Sequence, residues 1–231
     1  TRDFWCCHGT LVQAHTTHPE HIYYQAPGGL ALAQWLPSQA RWQTPEGAVE
    51  LTIKEDAQTS LPHRPRSRAF DLAVACASPL EFELKVRIPW WVQGQANFTL
   101  NGQPLRLEAQ PGSFASLRRA WGADTLRVEF PSALTLCPLP DAPQTAAFMD
   151  GPVVLAGLYG PGGVAWNETL EDHTLIGDPA HPETILAPDN EREWGEWRSG
   201  YRARGQAVNR RFIPLNEVED ERYGVYFTLR Q

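Results

Sequence analysis

Glu81-Phe82-Glu83-Leu84-Lys85-Val86-Arg87-Ile88 alternates charged and apolar side chains without a break. A period of two places Phe82, Leu84, Val86 and Ile88 on one face of an extended segment and the four charged residues on the other. One oily face and one wet face describe a half-buried strand. The same pattern recurs on both sides. Upstream, Ala48 to Glu55 sets Val49, Leu51 and Ile53 against Glu50, Thr52 and Lys54, and Phe70-Asp71-Leu72-Ala73-Val74 reads as another strand. Downstream, Phe98 to Leu105 reads as a hairpin, because Asn101-Gly102 is the favoured two-residue turn. Leu126, Val128 and Phe130 then alternate with Arg127 and Glu129. Many short strands at such spacing predict an all-β chain of antiparallel sandwich type.

The flanks extend this reading. Residues 1–21 predict a turn and about two turns of helix, ended by Pro19. Ile22-Tyr23-Tyr24 is a strand, Ala26-Pro27-Gly28-Gly29 a turn, and Leu30 to Leu36 a strand closed by Pro37. Residues 56–68 form a polar loop whose Arg64, Arg66 and Arg68 suit either plain solvation or an acidic ligand. The proline-rich stretch Leu136 to Pro143 marks a domain boundary. Ala146 to Met149 and Val153 to Ala156 open a second β unit, residues 160–210 are loop-rich, and Phe212–Leu215 and Gly224–Leu229 close the chain. The expected organisation is a helical stub over 1–21, a β-sandwich over 22–140 and a second, loop-rich β-sandwich over 141–231.

Composition excludes several classes of function. With 27 acidic against 20 Lys and Arg residues the formal charge is −7, which argues against nucleic acid or an anionic membrane as partner. No apolar run approaches the ~20 residues of a membrane-spanning helix. The chain opens on Thr1-Arg2-Asp3, without an initiator Met or a signal peptide, which predicts a piece of a longer protein. Four cysteines are too few for a disulfide scaffold. Cys76 and Cys137 lie in apolar strand contexts and are expected as buried thiols. Reduced thiols and the missing signal peptide point to a cytoplasmic location.

Reactive side chains crowd together in one place, Phe4-Trp5-Cys6-Cys7-His8-Gly9. A thiolate is both a nucleophile and a soft metal ligand. Adjacent cysteines do not easily bridge each other, but they can share one ion if the backbone turns sharply, and Gly9 permits such a turn. A closed zinc site takes four ligands, of which Cys6 and Cys7 supply two. His15, His18 and His21 follow at spacings of three and read as surface residues. From spacing alone the pair reads first as two small buried hydrophobes.

The run Asp3 to Thr10, followed by His21-Ile22-Tyr23-Tyr24, resembles the end of the catalytic domain in family 127 glycoside hydrolases, the β-L-arabinofuranosidase-like proteins. Further segments resemble that family in the same order: Arg87-Ile88-Pro89-Trp90-Trp91, then Gly151 to Gly157, then Phe212-Ile213-Pro214-Leu215 through Glu221 to Phe227. There are departures. Gln13 stands where many relatives carry Glu, and His15-Thr16-Thr17-His18-Pro19-Glu20-His21 replaces a lysine-containing turn. The resemblance implies two jelly-roll-like β-sandwich domains following an (α/α)6 barrel, of which residues 1–21 would be the remnant. It implies hydrolysis of a β-L-arabinofuranoside with retention, Cys6 as nucleophile, and Cys6 and Cys7 as zinc ligands. The acid/base glutamate and remaining zinc ligands would lie in the barrel, so this stretch alone is expected to be inactive. The implied partners are a carbohydrate substrate and the helical barrel.

A rival reading is a non-catalytic carbohydrate-binding or domain-packing module. Among nine tryptophans, Trp90-Trp91, Trp121 and the Trp194/Trp197 pair could stack on sugar rings or fill cores. Glu217, Glu219, Asp220 and Glu221 read as an exposed acidic turn before a strand.

Overall fold

The computed structural model describes residues 6–56, 67–161, 173–189, 191–193, 196–198 and 200–230. The described chain is mostly strand, and it divides into two compact units between Pro131 and Ser132. That division precedes the proline-rich stretch, whose first half is itself a strand.

The first unit opens with α1 (Cys6–Thr17) and a 3-10 turn at His18–His21. Eight strands follow: β1 (Tyr23–Ala26), β2 (Gly29–Leu32), β3 (Ser38–Thr44), β4 (Gly47–Glu55), β5 (Ser67–Arg87), β6 (Asn97–Leu100), β7 (Gln103–Leu105) and β8 (Phe114–Pro131). Here the structure joins what the sequence reads as separate strands. Phe70–Val74 and Phe82–Arg87 belong to one strand of 21 residues, paired on both sides of a break with the 18-residue β8. The register of that pair shifts between Ala75 and Leu80. An irregularity of this kind lets one strand serve two layers. The half of β5 before it carries β4, from Phe70 opposite Glu55 to Cys76 opposite Val49. The half after it carries β2 in parallel, from Glu83 beside Gly29 to Val86 beside Leu32.

The two layers close on one core. Val49, Leu51, Ile53, Phe70, Leu72 and Val74 come from one side of the irregularity, and Leu84, Val86, Ile88 and Leu32 from the other; all are buried. Across the core, Trp42 of β3 meets the Phe82 ring edge-on at 5.5 Å. Trp35 packs on Phe70 and Phe130, and its indole N–H donates to the Arg87 carbonyl oxygen at 2.8 Å. Strand β3 has weak strand signals and is not among the sequence-predicted strands; pairing with β4 over its whole length makes it one.

The second unit comprises β9 (Leu134–Leu139), β10 (Ala142–Asp150), β11 (Val153–Pro161), β12 (Thr174–Ile176), a short α2 (Pro182–Ile185), β13 (Leu186–Pro188), β14 (Glu191–Glu193), β15 (Glu196–Arg198), β16 (Tyr201–Ala203), β17 (Arg211–Pro214), β18 (Glu221–Gly224) and β19 (Tyr226–Arg230). Nine of these form one sheet in the order β12-β19-β10-β11-β17-β16-β13, with β9 on β10 and β18 on β11. All its pairings are antiparallel except β12 with β19. Phe148, Phe212 and Phe227 form its centre, with ring centroids 5.0–6.5 Å apart. Gly157 passes so close that a Cβ there would lie 2.5 Å from the Phe227 ring. The all-β expectation with a short N-terminal helix thus describes the chain. The helix is longer than the two turns expected.

Candidate functional site

The sequence places the chemistry at Cys6 and Cys7. Their backbone opens α1, and their side chains, with that of His8 and all of residues 1–5, lie outside the described residues. The sharp turn that Gly9 permits is not made. Gly9 sits inside α1, whose backbone hydrogen bonds run through it, at the ~1 kcal/mol that glycine costs in a helix interior. Two thiols suit zinc chemically. No group of three or more His, Cys, Asp or Glu gathers among the described residues. His15 and His18 meet edge-on at 5.4 Å across the helix end, while His21 Nδ1 lies 2.9 Å from the Tyr24 hydroxyl. All three histidines are exposed, as expected of surface residues. Leu11 and Val12, each 64 % exposed, leave the apolar side chains of α1 in solvent.

The tryptophans sort by packing. Trp121 is fully buried, and Trp35, Trp42 and Trp91 pack against the first core. Trp90 is 58 % exposed beside Trp91, whose ring lies 5.9 Å from Phe130. The two part company in a turn after Pro89, closed by the Val92 N–H on the Pro89 carbonyl, and not in a strand. Trp194 and the Trp197 side chain lie outside the described residues, as do Arg64 and Arg66. Arg68 is bound to Glu55 at 2.6 Å and leans on Phe70, so it holds β5 to β4. Cys76 is half-buried, and burial, then the nearby Asp124 carboxylate, push its thiol up. Cys137 is exposed on β9 and corrects the buried reading; Leu134 and Leu136 of the same strand pack against the core while Cys137 and Pro138 are exposed.

Two polar groupings have no sequence signal, because their members are far apart in the chain. In the second unit Arg210, 5 % exposed, lays its guanidinium 3.9 Å from the Tyr159 ring centroid, and Tyr159 bonds through its hydroxyl to His173 Nδ1. A cavity of about 350 Å³ opens beside it, lined in part by Thr174, Ile176, Gln206 and Arg230. The Gln206 amide is committed to the Ile176 backbone, accepting its N–H at 2.8 Å and donating to its carbonyl at 2.7 Å. Close by in the same sheet, burial pushes the Asp150 carboxyl up, and the Tyr201 hydroxyl, donating at 2.8 Å, draws it part of the way back. Glu217 ends a 3-10 turn and Glu221 opens β18, with the Glu219 N–H between them donating to Glu221 Oε2 at 3.0 Å.

Comparison with known proteins follows the same division. Residues 29–132 match the family described as the β-L-arabinofuranosidase GH127 middle domain, and the match ends at the boundary between the units. A GH127 β-L-arabinofuranosidase from Geobacillus stearothermophilus T6 superposes with a TM-score of 0.71 at 20 % identity, over 97 % of this chain and 37 % of that one. A glycoside hydrolase gives 0.67 at 18 % identity over 98 % and 40 %, and a GH127 β-arabinofuranosidase 0.68 at 16 % over 97 % and 38 %. No curated protein matches the chain. At such identities the structural likeness is one of fold, and the chain spans about two fifths of the length of these relatives. The resemblance read from the motifs therefore holds, by sequence over 29–132 and by fold over nearly the whole chain.

Proposed function

We propose that this chain is the C-terminal β-sandwich part of a retaining glycoside hydrolase acting on β-L-arabinofuranosides, with Cys6 as nucleophile and Cys7 as a zinc ligand. The observation that carries the proposal is the GH127 middle-domain match over 29–132, preceded in the chain by the Phe4-Trp5-Cys6-Cys7 run. Retention requires two displacements at the anomeric carbon. The Cys6 sulfur makes the first and expels the aglycone oxygen; water makes the second and frees the sugar in its original configuration. A thiol is a competent nucleophile only once ionised. Zinc, where bound, keeps Cys6 and Cys7 as thiolates at neutral pH.

An acid/base carboxylate must protonate the departing oxygen and later activate the water. That residue and the other zinc ligands belong, in this proposal, to a helical barrel partner. The 231 residues alone are then inactive on an aryl β-L-arabinofuranoside, and they hold zinc weakly, since two ligands do not make a closed site.

The test is made in the full-length parent. Cys6→Ser is expected to abolish turnover, and Cys7→Ser to lower bound zinc while some activity survives at high metal. A Cys6→Ser enzyme that turns over near the wild-type rate would overturn the assignment. It would favour instead a binding or packing module, the reading that the exposed Trp90 supports.

A further inference from the structure

We propose that Asn101, in the turn between β6 and β7, is a covalent modification site, a deamidation centre that Asp124 and Thr125 hold shut. Asn101-Gly102 is the single Asn-Gly pair in the sequence. Both residues are exposed at the turn, with φ of 51° and 78°. A Cβ added to Gly102 would meet nothing within 4 Å, so no residue beyond its chain neighbours crowds that position.

The chemistry needs only water. The Gly102 backbone nitrogen gives its proton to solvent base and attacks Asn101 Cγ. The bond from Cγ to Nδ2 breaks and ammonia leaves, closing a five-membered succinimide. Water then opens the ring at either carbonyl to give aspartate or isoaspartate. The balance is one water consumed and one ammonia released, with no change of oxidation state.

In the folded chain the amide is engaged elsewhere. Asn101 Nδ2 donates to Asp124 Oδ1 at 2.7 Å, and Asn101 Oδ1 accepts the Thr125 N–H at 2.8 Å. The Asn101 N–H in turn donates to the Thr125 carbonyl at 2.9 Å, so the residue is tied to β8 from backbone and side chain together. Asp124 is itself fixed, 8 % exposed, by the Gly122 N–H at 2.8 Å and by Arg119 at 3.3 Å. To reach the Gly102 nitrogen, Cγ must release both side-chain bonds to β8.

The product cannot remake the lock. Aspartate at 101 loses the donor that Asp124 receives and sets a second carboxylate against it, a like-charge contact. Isoaspartate also lengthens the backbone of a two-residue turn, which shifts the β6–β7 register. The modification therefore opens the hairpin irreversibly, and local opening of the hairpin sets its rate.

Peptide mapping for the deamidated mass at residue 101, with enzymatic isoaspartate methylation, reads the reaction in the full chain. It is followed in native buffer, in urea at the same pH, and in D124A and D124N in native buffer, with melting curves to confirm folding. The urea-unfolded chain and folded D124A are expected to deamidate about tenfold or more faster than the native chain, the factor that one charge-assisted hydrogen bond supplies. D124N keeps the shape but lacks the charge, is expected between them, and stands in for D124A should that variant unfold. A native chain that deamidates at the unfolded rate, or a folded Asp124 variant no faster than native, overturns the proposal.

Discussion

Trp121 lies nearly parallel to Phe82, ring centroids 5.6 Å apart, and its indole N–H donates to the Phe82 carbonyl oxygen at 3.1 Å. Trp121 stands opposite Leu80, where the register of β5 and β8 resumes after its shift. One fully buried side chain thus packs against the neighbouring strand and satisfies a backbone carbonyl beside the irregularity. From outside, the Arg119 guanidinium covers the indole at 5.4 Å.

Trp121→Ala is therefore expected to destabilise the first unit by about 3–5 kcal/mol, the range for removing a buried aromatic. Trp121→Phe keeps the packing and drops the donor, and should cost about 1–3 kcal/mol for a buried carbonyl left unpaired. Urea denaturation of both variants checks this. A Trp121→Ala chain as stable as the wild type would show that the long strand pair is held elsewhere.

Gly29 has no room for a side chain. A Cβ there would lie 1.8 Å from the Glu83 carbonyl oxygen, a rigid backbone atom in the parallel β2–β5 pair. Gly29→Ala is expected to cost about 3 kcal/mol or more, the upper range of overpacking. Gly122→Ala, with nothing within 4 Å, should stay within about 0.5 kcal/mol of wild type. Equal losses for the two would count against the close approach of β2 to β5.

Two aspartates titrate in opposite senses. Burial would raise the Asp124 carboxyl, but the Gly122 N–H, the Asn101 amide and Arg119 outweigh it and hold it below the ordinary value. Its stabilisation is present above the unfolded carboxylate pKa of about 3.9 and is lost as pH falls through the lower folded value. Asp150 is raised, mainly by burial. Its contribution is present below the unfolded pKa and lost as pH rises through the higher folded value. Asp150→Asn, whose amide oxygen still accepts from Tyr201, is thus expected to be more stable than wild type at neutral pH, with the gain vanishing in acid. Stability profiles against pH would show it, and a loss at neutral pH would contradict the sign.

Thiol labelling of the native chain should distinguish Cys137 from Cys76. Cys137 is exposed, whereas the Cys76 thiol is half-buried and raised by burial and by Asp124. Cys137 is expected to react first with a neutral-pH thiol reagent, since thiolate fraction and access both set the rate. Mass mapping after partial labelling reads the order, and faster labelling of Cys76 would reverse the placement of the two residues.

Much of this protein is legible in its sequence because strand periodicity is local. Phe82, Leu84, Val86 and Ile88 alternate with charged residues whatever they pack against, and the Asn101-Gly102 turn needs only its own backbone preference. The cysteine pair is equally visible, as a pattern of residue types. What the sequence leaves undecided depends on atoms distant in the chain. That Phe70–Val74 and Phe82–Arg87 are one strand follows from pairing with β8 on both sides of the irregularity, which no residue between them signals. Ser38–Thr44 becomes a strand through β4, and Gly9 remains helical because the hydrogen bonds of α1 outweigh its own freedom to turn. Arg210 on Tyr159, Tyr201 on Asp150 and Asn101 on Asp124 join residues 23 to 51 positions apart. Periodicity is a property of neighbours, and such contacts are a property of the closed sheet.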